Sequence, residues 1–153
     1  MSDDNRRSGA HPTAQPVIQP AAPRFVQLLP SWGVGGVTIL VLFVATALLS
    51  WELVGKDRPE AYTSVSGNIL LVHLPAVLTY ALGTWAAGAV HRAPSRDASL
   101  RHCVALFVPA LVVQALGFLL PAANLTVLGV LIALADLVIG CALGFLLDRL
   151  RRR

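Results

Sequence analysis

No Asp, Glu, Lys or Arg lies between Arg24 and Glu52 or between Glu60 and Arg92, and between Arg101 and Asp148 the only one is Asp136. A chain with such stretches cannot wrap itself in the polar shell that folding in water requires. Charged residues make up 13% of the 153 positions, against about 25% in an ordinary globular chain, and they are gathered into short clusters. The solvent for most of this chain must be lipid, and lipid admits a single-chain span only as a helix or as part of a closed barrel.

The lengths of the apolar runs then count the spans. Trp32 to Val54 would make roughly 34 Å of helix, enough to cross a bilayer, with Trp32 and Trp51 placed as interfacial aromatics are. After the polar segment holding Lys56, Asp57, Arg58, Pro59 and Glu60, a second helix is predicted over residues 65–90, capped by Ser64 or Ser66. Pro75 should disturb it by leaving the carbonyl of Leu71 without its donor. Beyond the basic loop His91 to Arg101, apolar sequence runs from His102 to Leu147, roughly 69 Å if helical and twice the membrane thickness. It must fold back, and Pro121-Ala122-Ala123-Asn124 is the turn candidate, with Asn124 as the next helix cap. The expectation is therefore an all-α membrane protein, a four-helix transmembrane bundle with helices at about 32–54, 65–90, 102–120 and 125–147. Residues 1–24, rich in Pro and polar side chains, read as a disordered tail; residues 25–148 form the domain, and 149–153 a basic tail. The first apolar run is too long for a cleaved signal peptide.

Orientation follows from the basic residues. Arg6, Arg7, Arg24, Arg92, Arg96, Arg101 and the four arginines from Arg149 to Arg153 fall on one side, and Lys56 and Arg58 on the other. Positive charge stays in the cytoplasm, so both termini are expected there. Arg outnumbers Lys eleven to one and Ala is abundant, a bias that suits a GC-rich bacterial genome and hence a bacterial cytoplasmic membrane. The net charge of +4 is explained by topology, and no nucleic-acid partner is expected.

Asp136 is the residue that needs an explanation. Twelve residues beyond Asn124, it falls near the bilayer centre, where an acid costs about 2.5–3.5 kcal/mol to insert. Gly129, Ala133, Asp136, Gly140 and Gly144 recur at helical spacing, so the acid lies in a stripe of small residues that lets another helix approach, and Gly140 to Gly144 form a GxxxG pair. Depth matching pairs Asp136 with Tyr80 or Thr79, and His73 with Gln114. His73, Tyr80, Thr84 and Ala87 share a predicted face of the second helix. Glu52 reads as an interfacial charge beside Lys56.

Two functions compete. One is a protein that acts through helix packing, as an accessory subunit of a membrane complex or as a homo-oligomer. The other is a proton- or cation-coupled transporter or channel that uses Asp136. A hole-forming protein is allowed by size but not indicated. No enzyme activity, cofactor or metal is expected. Cys103 and Cys141 have no zinc or redox spacing, and nothing in the sequence fixes the geometry of a cluster of His91, His102, Cys103 and Cys141.

Overall fold

The computed structural model describes residues 25–91, 99–119 and 126–152, and within them the chain is helical apart from short turns. Four helices are long and apolar enough to cross a membrane: α1 (Val26–Gly55), α2 (Val65–Val90), α3 (Ser99–Leu119) and α4 (Val127–Arg151). The predicted tail 1–24 and the predicted turn Pro121–Asn124 lie outside the described residues.

The boundaries differ from expectation in ways that local chemistry explains. α1 starts earlier than Trp32, with a short 3-10 turn over Val26–Leu28 and Pro30 in its first turn, where a missing N–H costs nothing. α4 starts later: Thr126 is its N-cap, its hydroxyl accepting from the Gly129 N–H at 3.1 Å. It also runs on through Arg149 to Arg151, which were expected to form a tail. Arginine is a good helix former, and cations in a last turn meet the negative end of the helix dipole. Ser64 caps α2, accepting from Gly67 N–H at 3.1 Å. Glu52 and Lys56 form the expected pair, 3.0 Å apart and well exposed.

Pro75 acts through a change of helix type. The five residues before Leu74, Ile69–His73, form a π-helical turn, and the Leu71 carbonyl that Pro75 cannot serve accepts from the Ser50 hydroxyl of α1 at 3.5 Å. A second π-helical turn, Trp51–Gly55, ends α1.

α2 packs against each of the other three helices, most extensively against α4 and α1. His91, at the end of α2, meets Ser31 at the start of α1, and His102, at the start of α3, meets Asp148 near the end of α4. These four residues therefore mark one end of the bundle, called here the terminal end; residues 56–64 mark the loop end.

Burial is unequal along this axis. Nearly every buried residue lies in the terminal half: Leu28 to Ile39 of α1, Thr79 to Gly88 of α2, His102 to Ala110 of α3 and Leu137 to Asp148 of α4. Small residues make this closeness affordable in space: a Cβ on Gly83 would fall 2.2 Å from Ile39 Cγ1, and one on Gly35 2.9 Å from the Ala87 Cβ. In the loop half, Val44, Leu48, Leu70, Leu116 and Leu128 are exposed. Burial is thus concentrated over one half of the bundle's length.

Candidate functional site

α2 and α4 run in the same direction, and the stripe of small residues on α4 is the seam between them. A Cβ on Gly140 would lie 2.6 Å from Tyr80 Cβ and 2.7 Å from the Val77 carbonyl oxygen; one on Gly144 would lie 2.5 Å from the Ala81 carbonyl oxygen. Backbones that near leave no room for a side chain. The expected stripe holds only in its lower part. Gly129 is exposed, where a Cβ would meet nothing but its own capping hydroxyl, and Ala133 is half-buried.

Asp136 lies one turn above Gly140, where the packed half gives way to the open half. Its Oδ2 is 2.7 Å from Nδ1 of His73, the last residue of the π-helical turn. Below this pair, the Tyr80 hydroxyl donates to Gln114 Oε1 of α3, with the Phe43 ring edge-on to Tyr80 at 5.3 Å. Lower still, the Thr84 hydroxyl lies 3.5 Å from Cys141 Sγ.

The polar residues that depth matching paired do meet one another, but Asp136, His73, Tyr80 and Gln114 exchange partners. Among the described contacts neither Thr79 nor Tyr80 hydrogen-bonds Asp136, and His73 does not bond Gln114. The depth of Asp136 had been counted from Asn124. With Val127 as the first helical residue, Asp136 is nine residues into α4 and His73 eight into α2, the same level. Tyr80 and Gln114 then meet because side chains lean toward their own helix N-terminus. On the antiparallel α2 and α3 these leanings converge. Of the predicted α2 face, Tyr80 and Thr84 back onto α4, whereas Ala87 turns to Gly35 of α1.

A second polar centre, not foreseen, occupies the terminal end. Asp148 is buried, with Oδ2 2.9 Å from Nε2 of His102, and Arg152 Nη2 donates to the same carboxylate oxygen and contacts the His102 ring. Gly88 of α2 covers the carboxylate closely: a Cβ there would be 2.9 Å from Asp148 Cγ. The His91 ring stacks obliquely on His102, centroids 5.6 Å apart, and Arg151 lies 5.8 Å over the Trp85 ring. One signal in the sequence pointed here. An acid in the last turn of a helix opposes the helix dipole and needs cations, and Asp148 has Arg152 four residues on. Of the four side chains weighed as a metal cluster, His91 and His102 come together while Cys141 is engaged by Thr84; among the described residues no group of three or more His, Cys, Asp or Glu is placed to hold a metal ion.

Chemically, the His73–Asp136 pair can hold one proton in either of two places, on the ring or on the carboxyl. It can also serve as a fixed hydrogen bond that ties α2 to α4. No known protein family matches the chain, nor does any characterised protein or solved structure.

Proposed function

We propose that this is a multi-pass protein of a bacterial cytoplasmic membrane, with both termini in the cytoplasm, that works by helix packing. It acts as an accessory subunit of a membrane complex or as a homo-oligomer, and not as an enzyme. The observation that carries this reading is the incomplete closure of the bundle around its central acid. Few residues are buried above Asp136, and the side chains of Asp136 and His73 keep 14% and 27% of their exposure at a depth where lipid offers no hydrogen bond. A helix from a partner or a second copy, laid into the open half, would cover them. Purification in mild detergent, followed by mass measurement of the intact particle and identification of its chains, tests this. A heterologous partner or a defined oligomer supports it. A monomer at all concentrations, with no companion, retires it.

The His73–Asp136 contact favours one second reading, a proton- or cation-coupled transporter or channel. Its test is proton movement in liposomes, which Asp136→Asn must abolish while leaving the protein folded. Flux unchanged by Asp136→Asn excludes this reading.

A further inference from the structure

The terminal end holds a cavity of about 350 Å³ between the first turns of α3 and the last turns of α4. From α3 it is lined by Ser99, His102 and Cys103, which share one face at spacings of three and four. From α4 it is lined by Phe145, Arg149 and Arg152, with Asp148 at the back. Polarity changes along its length. Toward the helix ends stand the arginines and the Ser99 hydroxyl. Deeper stands Phe145, continued by Phe107 at 6.2 Å between ring centroids.

We propose that this cavity binds the headgroup phosphate of an anionic phospholipid, with the acyl chains lying along Phe145 and Phe107. Charge supports an anion. Among the described contacts Arg152 donates to the Asp148 carboxylate through a single nitrogen, Nη2. A guanidinium has five N–H donors in a planar fork, so Arg152 keeps donors for a second acceptor. Arg149 lines the same cavity and makes no side-chain hydrogen bond or ion pair among the described residues. Among its described residues the lining therefore sets two guanidinium groups against one carboxylate, an excess of positive charge that suits a phosphodiester. Arginine at a bilayer surface and an apolar wall below it reproduce the order of a lipid, phosphate outermost and hydrocarbon within. A soluble anion would have no use for the phenylalanines.

The alternative explanation is diffuse attraction between the basic helix end and any anionic surface, and one pair of variants separates the two. Arg149→Gln and Arg151→Gln remove the same charge from the same helix turn. Only Arg149 lines the cavity, whereas Arg151 sits over Trp85 on α2. The measurement is native mass spectrometry of the full chain in detergent, titrated with phosphatidylglycerol, with phosphatidylcholine, and with phosphatidylglycerol in the presence of inorganic phosphate. Phosphatidylglycerol should bind in preference to phosphatidylcholine. Arg149→Gln should weaken it by about tenfold, the weight of a hydrogen bond between charged groups, and Arg151→Gln by less than about twofold. Equal weakening by the two variants overturns the proposal in favour of a diffuse surface charge. Displacement by millimolar inorganic phosphate overturns it in favour of a free-anion site. No preference between the lipids overturns it outright.

Discussion

Placing a methyl group on the α2–α4 seam is the sharpest perturbation the structure offers. In Gly140→Ala the new Cβ would fall 2.6 Å from Tyr80 Cβ and 2.7 Å from the Val77 carbonyl oxygen; in Gly144→Ala it would fall 2.5 Å from the Ala81 carbonyl oxygen. Ordinary contact begins at 3.4 Å, so the helices must separate by almost an ångström. The obstacles include backbone atoms, which cannot rotate aside as a side-chain tip can. Overpacking of this kind costs about 1–3 kcal/mol, and a gap approaching 1 Å forfeits roughly a quarter to a half of each dispersion contact along the seam. Against this stands the gain of about 1 kcal/mol from replacing a helical glycine by alanine. The net loss is expected near 1–2 kcal/mol at each position. Gly117→Ala is the control, because a Cβ there meets nothing within 4 Å and should bring only the propensity gain. Unfolding in mixed detergent gives the three free energies. If Gly140→Ala and Gly144→Ala unfold no more easily than Gly117→Ala, α2 and α4 are not closely packed and the site built on them falls.

Three further outcomes are expected. A membrane-impermeant thiol reagent should reach a cysteine placed at Asp57 from outside the cell and miss cysteines at Ser95 and Arg153; labelling at Arg153 from outside would contradict the proposed orientation. Asp148→Ala should cost about 3 kcal/mol in a detergent unfolding assay, at the low end for a broken buried ion pair because Arg152 is partly exposed and can turn to water. Asp148→Asn should cost less, because the amide oxygen still accepts a hydrogen bond; equal costs would mean that the negative charge alone, and not the shape and hydrogen bonding of the side chain, holds the terminal end. Asp136→Asn should preserve folding, since the amide still offers His73 a partner, and Asp136→Leu should destabilise by stranding the ring; loss of cellular function on Asp136→Asn with folding intact would make the carboxyl a working site.

Four helices long and apolar enough to cross a membrane were legible in the sequence because charge-free length points to them, and an apolar run of twice the membrane thickness has to turn back. The identity of the seam was legible for the same reason, since Asp136 among small residues can only face protein. What failed was register. One cap, Thr126 in place of Asn124, moves Asp136 up by about 3–4 Å, enough to exchange its partner from Tyr80 to His73. The π-helical turn before Pro75 was not legible, because a proline announces a disturbance without saying which form it takes. The terminal cluster was missed for a different reason. Arg149 to Arg153 account so readily for orientation that Asp148 among them drew no question, although an acid at a helix C-terminus is unfavourable without partners.

Packing and chemistry are not separate properties of this seam. Asp136, Gly140, Gly144 and Asp148 recur every four residues on one face of α4. An aspartate carries its carboxyl one carbon beyond Cβ, so it spans to a neighbouring helix only where the backbones are close, and the two glycines between the acids supply that closeness. His73 is reached at 2.7 Å one turn above Gly140, so separating the helices by almost an ångström at Gly140 should also break that contact. The two changes must then be non-additive. If the Asp136 hydrogen bond is structural, Gly140→Ala has already forfeited it, and adding Asp136→Leu, which is costly in the wild type, should cost nothing further. The double-mutant cycle should return a coupling of about 1 kcal/mol, within the range found for residues in contact. A coupling near zero would mean that the carboxyl and the glycine act independently, and that the closeness of the seam serves something other than the acid.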